Sequence, residues 1–395
     1  MLAETAGLVG AGREFPADTS LFWRFLPATV GPESMAQMVS GGHGDKRRWP
    51  TAIDLFCGAG GLTVGLKRAR FRVLAGVELD PLAAATYRDN HPRVHLWERD
   101  IRRLPVAEIC RTLDIRPGSL DLLAGCPPCQ GFSTIRTRNA GKPAKDDRND
   151  LVLEFGRLAR GLLPKAIMLE NVPGLAADGR LAELCGILKE LGYIVHHEVR
   201  NAAEFGVPQR RKRLILLAGR RCEIPFPSAL ADRRTVRDVL EDLPAPGASG
   251  DEIHDLEEKR SAAIRDRIRL IPKDGGSRSA LEDQLDCHTK VEGFYDVYGR
   301  MHWDRISPTI TSGCINPSKG RFLHPEQDRA ITLREAALLQ GFPPRYRFKL
   351  DNGKYRAAEL IGNALPPDLV RHHATEIRRV LINAPRSPTK SRTAI

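Results

Sequence analysis

A cysteine boxed in by prolines and glycines can be held out rigidly as a nucleophile, and the stretch GCPPCQGFS, Gly125 to Ser133, has that composition. A second short stretch, ENVPG at Glu170 to Gly174, offers a carboxylic acid in a similarly constrained setting. A free thiol has a pKa of about 8.5, so only a few per cent is thiolate near neutrality unless nearby amides or arginines stabilise the anion. A thiolate that adds to an aromatic ring, with an acid that protonates that ring, turns a poorly nucleophilic ring carbon into a nucleophile.

Cys126 and Cys129 also form a C-x-x-C pair. Structural zinc takes four ligands, usually from two such pairs. No second pair occurs, and Cys287 beside His288 is isolated, so no metal is expected. A thioredoxin-like redox pair opens a helix near the first strand of its fold, whereas this pair follows a later strand. The nucleophile reading makes the best use of Gln130, Gly131 and Ser133, which suit a loop that closes over a substrate.

Elements that alternate between strand and helix must position these residues. From Thr51 short apolar runs alternate with helical stretches, the sign of βαβ units and a parallel sheet. Strands are predicted at 52–56, 73–78, 120–124, 166–170, 193–199 and 214–218, and helices at 62–69, 81–90, 150–162 and 180–191. Pro81 after Asp80 is a start signal, since Asp caps free amides and Pro fits the first turn. Gly58 to Gly61, Glu78, Gly125 to Ser133 and Glu170 to Gly174 all fall at carboxyl ends of strands, where open α/β sheets place their ligands. DLFCGAGGL, Asp54 to Leu62, can bring backbone amides and a helix terminus close to a ligand. Glu78 stands at the offset where an acid accepts hydrogen bonds from ribose hydroxyls, so the pair points to an adenosine-type cofactor.

The chain has 395 residues, a length that suits about two domains. Lys plus Arg number 61 against 49 Asp plus Glu, and the net charge of +12 favours a polyanionic partner. Eight scattered cysteines do not make a disulfide framework and no secretory signal opens the sequence, so a reducing, cytoplasmic compartment is expected. No run of about 18 apolar residues occurs, so no membrane span is expected. Residues 1–48 are expected to be an extension, in part disordered. A catalytic and cofactor-binding domain is expected over 49–219 plus 355–385. A smaller irregular domain with its hinge is expected over 220–354, with one helix at 255–270, and 386–395 reads as a basic tail.

Eight motifs in one order resemble those of the DNA (cytosine-5)-methyltransferase family. They are DLFCGAGG, the acid in VELDP, RDI at Arg99 to Ile101, PPCQGFS, ENVPG, FGVPQRRKR at Phe205 to Arg213, TLREAALLQGFP at Thr332 to Pro343, and IGNALPP at Ile361 to Pro367. The match runs from about Thr51 through Arg371, weakest in the middle. The resemblance implies a class I S-adenosylmethionine-dependent methyltransferase fold, with a Rossmann-like α/β sheet and a second, smaller target-recognition domain. It implies that Cys129 adds to carbon 6 of a flipped cytosine, that Glu170 protonates ring nitrogen 3, and that Arg211 and Arg213 reach the active site. It implies an S-adenosyl-L-methionine pocket of Phe56, Gly58, Ala59, Gly60, Gly61, Leu62, Glu78, Asp100, Ile101 and Asn363. Gln130, Ser133, Asn171, Thr309 and Thr311 would contact the substrate, double-stranded DNA. The target base must leave the duplex, as for other enzymes acting on bases. A monomer on DNA is expected, with a cognate restriction endonuclease as the natural partner.

The chain departs from the family pattern at Cys126, where a small residue is common, and in the extension ahead of Thr51. Two rival readings are methylation of cytosine in transfer RNA and a cofactor-binding regulator without turnover. A basic, irregular middle region fits duplex DNA better than RNA. Cys129, Glu170, Arg211 and Arg213 together argue for turnover, since a dead pocket has no physical need of all four.

Overall fold

A computed structural model describes residues 49–128, 150–280 and 296–383. The expected extension and basic tail, and the predicted site residues Cys129, Gln130 and Ser133, lie outside them. One seven-stranded sheet organises the described chain, in the order β3-β2-β1-β4-β5-β7-β6. Its strands are β1 (Thr51–Leu55), β2 (Arg72–Glu78), β3 (His95–Glu98), β4 (Leu122–Gly125), β5 (Ala166–Asn171), β6 (Tyr193–Asn201) and β7 (Lys212–Arg220). The first five are parallel.

One strand departs from the expected parallel sheet. β7 runs antiparallel to both β5 and β6. The connection 202–211 holds only a short 3-10 turn, Ala202–Phe205. A parallel return needs a crossover of a dozen or more residues, usually a helix. Strand β3 is absent from the sequence prediction because its four residues include only one buried side chain, Trp97.

Helices flank the sheet: α1 (Gly61–Arg68), α2 (Pro81–Asn90), α3 (Val106–Leu113), α4 (Leu151–Leu162) and α5 (Gly179–Glu190). The start signal of α2 works as expected, with the Asp80 carboxylate accepting from the Ala83 amide at 2.9 Å. Helix α3 was not foreseen, and among its eight residues only Ile109 is buried. Further along come α6 (Arg237–Leu240), α7 (Ala262–Leu270), α8 (Leu333–Leu339), α9 (Lys354–Asn363) and α10 (Pro367–Asn383). The helix expected over 255–270 begins only at Ala262. Asp255 instead ties a loop, accepting from the Gly247 and Gly250 amides at 2.8 Å each. No described helix is long and apolar enough to cross a membrane.

Core side chains separate by sheet face. Ile53, Leu55, Phe155 and Leu169 fill one side, under α4 and α5. Ala52, Leu66, Met168 and Leu369 fill the other, under α1 and α10. A third cluster joins Val236, Met301, Ile310 and Phe322 to α8 and α9. The C-terminal helix returns to α1 at very close range: a Cβ at Gly65 would stand 2.4 Å from Val370 Cβ and 2.5 Å from the Pro367 carbonyl oxygen. Nothing larger than glycine fits there.

Candidate active site

The loop after β1 is strained and open toward solvent on one side. Phe56 has φ 60°, a conformation uncommon for a residue with a side chain, and Gly58 and Gly60 have φ 54° and 99°. A Cβ on Gly58 would meet nothing within 4 Å, whereas one on Gly60 would stand 2.5 Å from the Tyr346 hydroxyl. One face is therefore free for a ligand and the other packed shut. Gly60 provides no side-chain cap for α1, so the first-turn amides of Gly61 and Leu62 can serve an acceptor from outside.

Glu78 braces this loop from the end of β2. One carboxylate oxygen accepts from the Gly58 amide at 2.8 Å, and the other from the Leu79 and Asp80 amides at 2.8 Å each. Burial pushes its pKa up, against the pull of those amides. The carboxylate thus fixes the glycine loop and keeps lone pairs for a hydroxyl donor. Asp100 is drawn into a fork with Arg102, at 2.7 to 3.1 Å, and this hydrogen bonding lowers its pKa. Ile101 is buried in the core beside it. Asn363 is exposed at the last turn of α9, which is itself a helix the sequence pattern did not reveal.

A chain of polar groups behind the loop was also missed. The Tyr346 hydroxyl donates to the Ala59 carbonyl. Its oxygen lies 3.1 Å from His91 Nε2, and His91 Nδ1 lies 2.9 Å from Lys67 Nζ. Burial, then the Lys67 charge, drives the His91 pKa down to about 3, so the ring is neutral. With Tyr346 donating forward, Nε2 carries the proton and Nδ1 accepts from the ammonium. The donors thus run in one direction, from Lys67 to the glycine loop.

Under the same loop, Asp54 is fully buried. Its Oδ2 accepts from the Thr63 hydroxyl at 2.6 Å, and its Oδ1 has no partner among the described residues. Burial raises its pKa from 3.8 to about 8. A carboxyl with a folded pKa above its unfolded one stabilises the fold fully at low pH and loses that contribution as pH rises toward 8. Asp54→Asn should therefore flatten the fall of unfolding free energy between pH 5 and 8, by up to about 1.4 kcal/mol per pH unit. Urea titrations at a series of pH values measure it, and parallel curves for the two proteins would contradict it.

The second half of the site is set by strand register. Gly125 pairs with Leu169 across β4 and β5, so Cys126 comes out beside Glu170. Glu170 pairs with Ile215 and Asn171 with Leu214 across β5 and β7, which brings Arg213 alongside. Arg213 Nε and Glu170 Oε1 are 2.9 Å apart, an ion pair between a half-buried arginine and a buried carboxylate. Asn171 donates from Nδ2 to the Pro127 carbonyl at 2.9 Å and accepts from the Val172 amide at 2.8 Å, so its side chain fastens the start of the proline-cysteine loop. Burial, then the Glu170 charge and a hydrogen bond to that carboxylate, hold the Cys126 thiol well above its ordinary pKa.

Arg211 is buried and donates to the Ile310 carbonyl at 3.1 Å, while its Nε lacks a partner among the described residues. Burial, then Arg213, pulls its pKa well down. The Thr309 hydroxyl donates to the Arg210 carbonyl at 2.6 Å, so SPTIT and QRRKR form one layer. Gln209, another residue missed, sits at its centre: its Oε1 accepts from the Ile310 amide at 2.8 Å, and its Nε2 donates to Gln340. Gln340 in turn donates to the Ile361 and Ala364 carbonyls at 2.9 and 2.6 Å. At Gly362 a Cβ would fall 2.2 Å from the Thr311 carbonyl carbon. The motifs around Gln209, Thr311, Gln340 and Gly362 thus interlock through two glutamine side chains and one close backbone approach.

The acid, two arginines and a glycine loop at one end of the sheet agree with the comparisons to known proteins. The family model for C-5 cytosine-specific DNA methylases matches residues 51–379. The chain belongs to this family. Its relatives include the Type II methylase M.HgiDII of Herpetosiphon aurantiacus, 38% identical over 348 residues that cover 83% of this chain and 95% of that protein. The Type II methyltransferase M1.HphI of Haemophilus parahaemolyticus is 34% identical, covering 84% and 88%. Among solved structures, the fold is shared with a prophage-encoded E. coli protein described as a DNA modification methyltransferase, with TM-score 0.66 and 24% identity over 84% of this chain and 99% of that one. It is shared too with the methyltransferase EhMeth of Entamoeba histolytica, with TM-score 0.58 and 17% identity over 85% and 99%. The expected class I methyltransferase fold is thus the fold of this cytosine-5 DNA methylase.

Proposed function

We propose that this DNA methylase transfers a methyl group to carbon 5 of a cytosine flipped out of duplex DNA, through a covalent adduct between Cys129 and carbon 6. The observation that carries the proposal is the pairing of buried Glu170 with Arg213 at the exit of the proline-cysteine loop. Glu170 would protonate ring nitrogen 3, with Arg213 at 2.9 Å orienting its carboxylate. Proton delivery there makes carbon 6 electrophilic enough for a thiolate, and the electrons then return through carbon 5. After methyl transfer a base takes the carbon 5 proton, the electrons of that bond re-form the double bond between carbons 5 and 6 and expel the Cys129 sulfur as a thiolate, and ring nitrogen 3 returns its proton to Glu170. Arg211 adds positive charge near the developing anion, in a site dry enough to give it weight. Thr309 and Thr311 would support the backbone of the flipped nucleotide.

The glycine loop, Glu78 and the uncapped α1 terminus fit an adenosine-type cofactor. S-adenosyl-L-methionine, when bound, supplies the methyl group as a sulfonium. Glu78 would accept from ribose hydroxyls, and the Gly61 and Leu62 amides would face the ligand. Phe56, Asp100, Ile101 and Asn363 complete the proposed pocket. The region 220–354 would read the target, with the protein acting as a monomer. Two relatives are named as Type II enzymes, which supports a place in a cytoplasmic restriction-modification system with a cognate endonuclease.

Incubation with labelled cofactor and either genomic DNA or tRNA tests the substrate, and base-resolution sequencing locates the 5-methylcytosine. Label in tRNA alone would overturn the DNA assignment. The polar chain behind the loop gives a finer test. Tyr346→Phe removes the donor to the Ala59 carbonyl and the acceptor for His91, a loss of about 1 to 3 kcal/mol for a buried partner. The cofactor Kd should rise roughly tenfold or more by titration, with kcat at saturating cofactor near that of the wild type. A fall in kcat with unchanged cofactor affinity would contradict this.

A further inference from the structure

A cleft of about 440 Å³ lies beside the SPTIT segment, with Arg210, Arg233, Arg305 and Arg321 in its walls. A second hollow, about 220 Å³, shares Arg305 to Pro308 and Arg321 with it. The acids here are already neutralised. Arg237 holds Asp304 at 2.6 Å. Arg321 holds Asp296 at 3.1 Å and donates to the Gly275 and Arg300 carbonyls at 2.9 Å each. Arg210, Arg233 and Arg305 differ: they are exposed, and among the described residues their guanidinium groups have no hydrogen bond or ion pair. Three uncompensated positive charges from three separate segments face one cleft.

The backbone beneath them is fixed. The Arg210 amide donates to the Ser307 carbonyl at 2.9 Å and its carbonyl accepts from Thr309. The next residue but two is Arg213, the partner of Glu170. An anion in the cleft is thereby held in register with the proposed active site. Reading a guanine edge takes one bidentate arginine. Several guanidinium groups with no free acceptor beside them suit a multi-oxygen anion instead, because the Ser307 hydroxyl is engaged with the Pro308 carbonyl at 3.1 Å.

We propose that this cleft clamps the phosphodiester backbone of the DNA substrate through Arg210, Arg233 and Arg305, setting the register of the duplex without reading its sequence. The inference rests on the DNA reading above and deepens it. The test uses the full chain and a 30-bp duplex of random sequence, with Kd followed by fluorescence anisotropy from about 50 to 300 mM KCl. For R233Q/R305Q the slope of log K against log salt should become shallower by about one for each arginine replaced. Target preference in a randomised-site methylation library should stay fixed, and so should cofactor affinity. R233K/R305K, which keeps both charges, should retain most of the wild-type slope.

An unchanged slope in R233Q/R305Q overturns the clamp. So does a changed preference at one base position with the slope intact, which would make these residues base readers. Loss of cofactor binding in both double variants would make them structural and also overturn it. Because the slope is read from binding, it stands apart from turnover. A wild-type protein that binds DNA but transfers no methyl group to it defeats the enzymatic reading and leaves the clamp measurable.

Discussion

Cys129→Ser should abolish methyl transfer, an expected loss of roughly three orders of magnitude or more, while cofactor binding should stay near wild type. A serine hydroxyl is nearly isosteric with the thiol but far less nucleophilic, so geometry survives and chemistry does not. Cys126→Ser, three residues earlier in the sequence, should cost less than about tenfold. The reason is electrostatic. Burial and the neighbouring Glu170 hold the Cys126 thiol well above its ordinary pKa, and a thiol kept protonated does not compete as a nucleophile. DNA carrying 5-fluorocytosine makes the distinction visible. Fluorine at carbon 5 cannot leave as a proton does, so wild-type protein and C126S should form an adduct that survives denaturing electrophoresis, and C129S should not. An adduct that persists in C129S and vanishes in C126S would reverse the assignment.

Glu170→Gln should lower single-turnover methylation by about 10²- to 10⁴-fold, the usual worth of a positioned acid. The amide keeps the shape of the side chain, cannot deliver a carboxylic proton, and loses its charge attraction to Arg213 at 2.9 Å. DNA and cofactor affinities should change far less than the rate, since neither ligand depends on the proton for binding. Rapid-quench measurement with saturating DNA and cofactor separates these quantities. A rate within tenfold of wild type would show that another group protonates the ring.

Much of the core was legible in local sequence because its signals are local. β1 and β2 read as continuous apolar runs since parallel strands are covered on both faces. The start of α2 was marked by Asp80 and Pro81, whose capping needs no distant partner. The glycine loop, Glu78 and Glu170 were recognisable because each sits in a short motif at the end of a strand. The antiparallel pair β6 and β7 was not, because strand direction depends on the connection and on which edge is vacant. Helix α7 came out shorter than its pattern because Asp255 found loop amides in place of a helix cap.

Residue types and motif order by themselves determined the chemistry available: a constrained cysteine, an acid, two arginines and a glycine-rich loop, in the order of a cytosine-5 DNA methylase. Tertiary structure alone decided which distant groups serve them. Tyr346 reaches Ala59, Gln209 joins Gln340, and the Thr311 backbone lies where a side chain on Gly362 would have to go. Such contacts leave no periodic mark, because hydrogen bonds and close approaches between segments far apart in the chain depend on packing and not on local spacing. The same holds for charge. The net +12 pointed to an anionic partner, but only the folded neighbours show that Asp296 and Asp304 are neutralised while the guanidinium groups of Arg210, Arg233 and Arg305 have no partner among the described residues.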